Sequence, residues 1–174
     1  MAVDLTLKST YITDREASPR VLHNPGQGGI GTKQSAYGYI ASVPAALSVL
    51  SVIRLVDVPS NSMITSVKVS SDAQTAGAFN IGVYNTNANG GLVAAANSDA
   101  FFTAALNCAA AVLDQECITK ATSLNTIAKR NQPLWQAIGL TADPGGRFDI
   151  CATVNTTAVT TGLGALAVLV EYTV

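Results

Sequence analysis

The sequence predicts an all-β protein with the architecture of an antiparallel β-sandwich. Three observations carry this prediction: short segments of alternating apolar and polar residues recur along the chain, turn-forming residues separate them, and only one segment has helical spacing. The 174 residues suffice for one domain with its own hydrophobic core. We therefore predict a sandwich domain over residues 34–174, preceded by an extended N-terminal arm over residues 1–33.

The predicted arm differs from the rest of the chain in composition. Residues 1–33 carry seven of the chain's 21 charged residues, and four glycines fall between residues 26 and 31. We interpret this glycine-rich run as a flexible hinge between the arm and the body. We do not expect it to bind phosphate, because no strand–helix unit surrounds it and no Lys-Ser/Thr pair follows in the required register.

The first strands are predicted over residues 37–43 and 49–56. The second of these runs is apolar on both faces apart from Ser51 and Arg54, which predicts a central strand covered on both sides. Pro59 and the two residues after it predict a turn.

Four further strands follow the same two-residue period. Each is defined by side chains that share one face: Thr65, Val67 and Val69; Phe79, Ile81 and Val83; Phe148, Ile150, Ala152 and Val154; Leu166, Val168, Val170 and Tyr172. Residues 85–91 are a strong turn signal, and Phe101 and Phe102 are predicted to lie in another strand.

One short helix is predicted after Pro133, which suits a first helical position. The helix would end at Gly139, with one apolar face made of Leu134, Ala137 and Ile138. We predict that Trp135 in this helix caps one open end of the sandwich core. The functional alternative is a tryptophan that stacks on a ligand.

The composition argues against membrane and nucleic-acid partners. Mean hydropathy is +0.32, but no run of about 20 apolar residues could span a membrane, and the first residues do not have the pattern of a secretory signal. We therefore expect a soluble protein made in a cytoplasm. The net charge of −1 and the scattered Lys and Arg residues provide no basic stripe for phosphate contacts.

The charged fraction is low, at 12% against about 25% in an average soluble domain. One explanation is that much of the surface is buried against other subunits, and on this basis we expect a homo-oligomer. The alternative is a neutral surface rich in Ala, Thr and Ser.

The three cysteines are Cys108, Cys117 and Cys151, and an odd number fits no closed disulfide framework. We expect three small buried thiols and no required disulfide in a protein made in a cytoplasm. A bridge between Cys108 and Cys117 is the alternative.

No catalytic site can be assigned from the sequence. His23 is the only histidine and lies in the arm, and no Gly-x-Ser-x-Gly motif is present. Asp114 and Glu116 are the only near pair of carboxylates in the body, and no calcium-binding loop surrounds them. The remaining aspartates near turns are expected to support the backbone, as at Asp72, Asp99 and Asp143. We predict no enzymatic activity, no cofactor and no bound metal.

Several segments carry a resemblance to a known family. They are Val58-Pro59-Ser60-Asn61, Phe79-Asn80-Ile81-Gly82-Val83-Tyr84, residues 13–22, and residues 132–150, which read QPLWQAIGLTADPGGRFDI. Together they resemble small virion proteins of tailed phages that occur with the head proteins. The likeness covers most of the chain, and its motifs are structural. The resemblance implies a jelly-roll-like sandwich that clamps the outside of a capsid shell, and it carries over no catalytic or ligand residue.

The expected function is therefore that of a capsid decoration (cement) protein on the virion exterior, assembled in the host cytoplasm. Its partner would be the major capsid protein, whose subunits it would bridge to stabilise the shell. The arm would lie over neighbouring capsid subunits, because arms that order on docking can wrap large surfaces. The candidate contact residues are Leu5, Leu7, Tyr11, Ile12, Arg15, Arg20, Val21 and Leu22.

The main alternative is a jelly-roll binding module of a receptor-binding fibre or a carbohydrate-binding domain. Sugar recognition would need exposed aromatic side chains, and those available are Tyr11, Tyr37, Tyr39, Tyr84 and Trp135. No coiled-coil or repeat sequence of the kind that precedes a fibre tip is visible. A small major shell protein is a further alternative, for which the chain is short.

Overall fold

The computed structural model describes residues 7–9, 12–13, 16–17, 33–44, 47–74, 77–86, 91, 94, 98–118, 125–155 and 164–174. Within these residues two β-sheets enclose a common hydrophobic core. The strands are β1 (Leu7–Lys8), β2 (Lys33–Ile40), β3 (Val52–Pro59), β4 (Met63–Ser71), β5 (Ala78–Asn85), β6 (Thr103–Asn107), β7 (Val112–Glu116), β8 (Arg147–Val154) and β9 (Leu166–Thr173). One short helix, α1 (Leu134–Ala137), and 3-10 turns at Ser98–Ala100 and Ile127–Lys129 lie between strands.

The strand order is that of a jelly roll. The first sheet has the order β1-β3-β8-β5-β6 and the second β2-β9-β4-β7. The antiparallel pairs β2·β9, β3·β8, β4·β7 and β5·β6 nest inside one another like a single long hairpin, and the pairs β4·β9 and β5·β8 join them into two four-stranded sheets. The predicted all-β, jelly-roll-like antiparallel sandwich with one short helix is thus confirmed. Strand β1 is an addition that pairs parallel to β3 at the sheet edge.

Strand β3 confirms the prediction of a strand covered on both sides. Every residue from Val52 to Val58 is buried. The strand starts and ends later than the apolar run suggested, and Pro59 is both its last residue and the first residue of the turn. Proline is tolerated there because a strand end needs no further ladder N–H. In this turn the Ser62 N–H donates to the Pro59 carbonyl at 3.1 Å.

Two predictions about the strands were wrong, one about a strand face and one about the position of a strand. Thr65 does not share a face with Val67, because a β-bulge between Ile64 and Ser66 shifts the alternation. As a result Ile64 is buried and Thr65 is exposed.

Phe101 is not in a strand, and neither is its neighbour Phe102. Both rings are buried in the bend between a 3-10 turn and β6.

Helix α1 forms where the sequence places it. Gly139 follows the helix with φ +93°, a conformation that glycine adopts without strain. The Leu134 and Trp135 N–H groups, which have no partner inside a helix, donate to the carbonyls of Ser62 and Ser60 at 2.8 and 3.1 Å. Trp135 is partly buried against the core, in agreement with the predicted capping role.

The three thiols lie inside the protein. Cys108, Cys117 and Cys151 are buried, and none of them is part of a disulfide bond. The alternative bridge between Cys108 and Cys117 is therefore not formed in this structure.

The two sheets meet most closely where β2 passes β3. A Cβ atom added to Gly38 would lie 2.1 Å from the carbonyl oxygen of Leu55, far inside van der Waals contact. Gly38 is paired with Val168 in one sheet, and Leu55 lies at a β-bulge of β3 between residues that pair with β8, so neither backbone can move far. Glycine is thus required at this crossing for reasons of space.

We predict that Gly38→Ala lowers the free energy of unfolding by about 3 kcal/mol or more, since the added methyl group forces the sheets apart. Urea denaturation of the two proteins measures the difference. Gln34→Ala, a half-buried position on the same strand, is the matched control and should cost less than about 1 kcal/mol. Equal losses for the two variants would contradict the close-approach argument.

Candidate interaction surface

The described residues contain no group of three or more His, Cys, Asp or Glu side chains that could hold a metal ion. His23 lies outside the described residues. The near pair of carboxylates singled out in the sequence has structural partners instead. Glu116 accepts hydrogen bonds from Ser66 Oγ at 2.6 Å and from the N–H groups of Val67 and Ile118 at 3.1 and 3.0 Å. Asp114 and Ser70 exchange two hydrogen bonds across the β4·β7 pair.

Two of the three aspartates near turns support the backbone as expected, and Asp99 contacts a side chain instead. Asp72 accepts the N–H of Ala165 at 2.8 Å, and Asp143 accepts the N–H of Gly145 at 2.9 Å. Asp99 accepts a longer hydrogen bond of 3.4 Å from the Asn80 side chain. These carboxylates therefore fasten loops.

The outer face of the first sheet holds two buried ion pairs. Arg54 Nη1 lies 3.1 Å from Asp149 Oδ2, and Arg147 Nε lies 2.8 Å from Asp57 Oδ2. Asp57 and Asp149 are direct neighbours across the β3·β8 ladder, so each carboxylate needs its arginine. Both aspartates and Arg54 are almost completely buried. The Arg54 guanidinium is held further by the carbonyl oxygen of Asn85 at 2.7 Å.

Tyr84 belongs to the same buried face and is not available as a sugar-binding platform. Its hydroxyl lies 2.8 Å from Thr153 Oγ1. Burial raises the pKa of Tyr84 to about 12, against the opposing effect of this hydrogen bond. Trp135 is partly buried against the core and Tyr11 lies outside the described residues. Of the five aromatic candidates, Tyr37 and Tyr39 remain as exposed side chains in the described structure.

The outer face of the second sheet carries a groove with a volume of about 420 Å³, which we call the outer groove. Its most exposed apolar side chains are Tyr37, Tyr39 and Leu113, with exposed fractions of 57%, 40% and 84%. The two tyrosines are two residues apart on β2 and so share one face. The complete lining consists of Tyr37, Tyr39, Ser70, Ser71, Asp72, Ala111, Val112, Leu113, Ala165 and Ala167.

The sheet edges at β6 and β7 are unsuited to pairing with another chain. Each strand has five residues, and each contains a non-glycine residue with positive φ, Ala105 at +52° and Asp114 at +48°. Such kinks and bulges disfavour strand addition at an edge. A partner is therefore not expected to add a strand at these two edges.

The structure places two of the eight candidate shell contacts, and it places both on the sandwich. Leu7 pairs with Ile53 and packs against the core, and Ile12 is fully buried. Ser9 anchors this segment: its N–H donates to the Arg54 carbonyl at 2.6 Å and its hydroxyl donates to the Leu55 carbonyl. The other candidates lie outside the described residues: Leu5, Tyr11, Arg15, Arg20, Val21 and Leu22.

Sequence reasoning missed strands β6 and β7 and with them Leu113. A five-residue strand with a kink shows too little alternation for a period of two to stand out. No helix in the described part of the chain is long and apolar enough to cross a membrane.

No protein-family model matches the sequence, and no curated protein matches it. Among solved structures, a chain of the capsid of Ralstonia phage GP4 is similar with a TM-score of 0.60 and 15% identity, over 95% of this chain and 96% of that chain. A chain of the cyanophage Pam1 capsid asymmetric unit has a TM-score of 0.47 and 15% identity, over 90% of this chain and 94% of that chain. The likeness to the GP4 chain extends the common fold over nearly the full length of both proteins.

The buried ion pairs lead to a stability prediction. Asp149→Ala leaves the Arg54 guanidinium buried without its carboxylate, and we expect the free energy of unfolding to fall by about 3–5 kcal/mol. Glu16→Ala, which breaks the partly exposed pair between Lys8 and Glu16, should cost less than about 1 kcal/mol. Chemical denaturation measures both. A small loss for Asp149→Ala would mean that the ion pair is replaced by water.

Tyr84 leads to a prediction of pH dependence. The folded protein holds the phenol proton more tightly than the unfolded chain, whose tyrosine pKa is about 10. The stability from this group is present below pH 10 and is lost as the pH rises from about 10 towards the folded pKa of about 12. Urea midpoints across this range should fall more steeply for the natural protein than for Tyr84→Phe. Tyr37→Phe, at an exposed site, should behave like the natural protein; equal slopes for all three would refute the prediction.

Proposed function

We propose that this protein is a non-enzymatic structural protein of a phage virion, which decorates the outside of the capsid shell and stabilises it by bridging major capsid subunits. The observation that carries the proposal is the jelly roll shared with a chain of the Ralstonia phage GP4 capsid over 95% of this chain and 96% of that one. Because jelly rolls serve many functions, the chemistry of the surface has to agree with this role.

The distribution of polar groups supports a role in assembly. The charged side chains of β3 and β8 neutralise each other inside the molecule, and the carboxylates near turns accept backbone N–H groups. The outer groove is lined by apolar, hydroxyl and aromatic groups with Asp72 as its single charged residue. A surface with few charges loses little hydration energy when another protein covers it.

We propose further that residues 1–33 contribute to attachment. In the described conformation Leu7 and Ile12 pack on the sandwich itself. They would have to detach from it before they could contact a shell. The proposed attachment therefore rests on the other candidates, Leu5, Tyr11, Arg15, Arg20, Val21 and Leu22. Exposed arginine pairs contribute little singly, so apolar contact should supply most of the binding free energy.

On the shell, the protein would sit on the virion exterior after assembly in the host cytoplasm, with copies brought together as a homo-oligomer. A shell under pressure from packaged DNA opens where subunits separate. Additional buried area across those boundaries opposes the separation.

A second candidate function has one specific observation in its favour. Tyr37 and Tyr39 are exposed side by side in the outer groove, with hydroxyl groups of Ser70 and Ser71 nearby in the lining. Aromatic rings beside hydroxyl groups suit the stacking and hydrogen bonding of a saccharide. This would be the chemistry of a carbohydrate-binding module or of a receptor-binding fibre.

The test is co-sedimentation of the full-length protein with undecorated shells assembled from the major capsid protein of the parent phage. We expect the natural protein to pellet with shells in a saturable manner. Val21→Ser/Leu22→Ser, which changes no residue of the Leu7–Lys8 strand, should bind at least about tenfold more weakly. Ile127→Ser removes an exposed apolar side chain of the sandwich domain and should bind normally.

Two outcomes would overturn parts of the proposal. If the natural protein does not bind shells but binds a panel of glycans, and Tyr37→Ala abolishes that binding, the carbohydrate module replaces the decoration role. If shells bind the natural protein and the Val21/Leu22 variant equally well, the arm is not the anchor.

A further inference from the structure

The loop between β2 and β3 ends in a tight turn with an unusual residue. In the turn formed by residues 48–51, the Ser51 N–H donates to the Ser48 carbonyl at 3.1 Å, and Leu50 has φ +70°. The third position of a turn with positive φ favours Gly or Asn, because a side chain with a Cβ is strained there. Leucine is a poor choice for making this turn.

Packing does not account for the leucine either. Leu50 is 60% exposed and its neighbour Val49 is 37% exposed. The turn is nevertheless held firmly, because the Leu50 N–H donates to the Val154 carbonyl and the Val154 N–H donates to the Ser51 carbonyl, both at 2.9 Å. A strained backbone therefore presents two apolar side chains to solvent on a rigid support, an arrangement typical of a contact site.

The same chain carries a surface that matches this turn. The outer groove is apolar, has a volume of about 420 Å³, and does not include Val49 or Leu50 in its lining. Residues 41–51 contain no charged side chain. The single charged group of the groove, Asp72, already accepts the Ala165 N–H. An uncharged apolar turn thus meets an almost uncharged apolar groove, so that docking leaves no ion without a partner.

We propose that the 48–51 turn of one copy of this protein inserts Val49 and Leu50 into the outer groove of a second copy. The contact is heterologous, since each copy offers its turn to one neighbour and its groove to another. Copies joined in this way form a closed ring if the rotation that relates one copy to the next adds up to a full turn. The inference is independent of the proposed role on a capsid and requires only this chain.

The contact is small, well below the roughly 800 Å² per partner of a stable interface. We therefore expect reversible, concentration-dependent association in solution. Copies held close together on a common support would associate more completely, because their effective concentration is higher.

Three full-length variants separate the two halves of the contact. Leu50→Asn removes the inserted side chain and relieves the backbone strain. Tyr37→Ser/Leu113→Ser empties the rim of the groove and leaves the turn intact. Ile127→Ser is the control for the loss of an exposed apolar side chain at a site in neither surface. Sedimentation velocity over a wide concentration range measures association, and concentration-dependent amide shifts in NMR spectra locate it.

The natural protein and Ile127→Ser should associate, with amide shifts at residues 48–51 and around Tyr37 and Leu113. Leu50→Asn should raise the Tm by a few degrees while weakening association at least about tenfold. The groove variant should also fail to associate. An equimolar mixture of the Leu50 variant and the groove variant should form a heterodimer and nothing larger, because one intact turn meets one intact groove.

The proposal is overturned by any of three results. The natural protein stays monomeric at every concentration, Leu50→Asn associates as the natural protein does, or the mixture of the two variants shows no heterodimer. The last result would mean that an intact turn does not bind an intact groove. An unchanged or lowered Tm for Leu50→Asn would show that the leucine is part of the fold and not a strained contact residue.

Discussion

The enclosure of strand β3 on every side is the constraint on which the rest of the structure depends. β8 pairs with one edge, β1 and Gly38 occupy the other, the core covers the inner face, and the outer face is buried as well. A buried charge must be paired, so Arg54 and Asp57 require Asp149 and Arg147 at fixed positions on β8. A slip of one residue between β3 and β8 would break both ion pairs and turn the apolar side chains out of the core, which fixes the register of the first sheet.

The same need for partners governs other polar side chains in the described part of the chain. The polar groups that would supply acid–base or ligand chemistry elsewhere are used here to neutralise one another or to fasten turns, as Glu116 does with the Val67 and Ile118 N–H groups. What the described surface offers to other molecules is shape and apolar area. The groove on the second sheet and the strained turn before β3 are two of the places where apolar side chains are exposed.

The N-terminal segment shows how composition and position can lead to different conclusions. Charge, glycine content and sparse alternation predicted one extended arm over residues 1–33, separate from the sandwich. Within that range Ser9 is fully buried and is bonded to the carbonyls of Arg54 and Leu55, and Ile12 is buried as well. Strand β1 and Ser9 together make a segment of three residues, which is too short to show an alternating pattern in the sequence. Their hydrogen bonds nevertheless complete the edge of β3. Lys33, the end of the predicted arm, is the first residue of β2.

The sequence by itself determined the fold class, the longer strands, the two-sided burial of β3, and the short helix with its glycine end. These features follow from local rules: a period of two, an uninterrupted apolar run, and turn residues at fixed offsets. Only the tertiary structure decided which strands are neighbours, where the bulge turns Thr65 outwards, that Tyr84 is buried while Tyr37 is exposed, and that Arg54 meets Asp149 across 95 residues of chain. The physical reason is that a strand pattern states which residues alternate, whereas the identity of the strand beside it, and of whatever covers its second face, depends on contacts between distant parts of the chain.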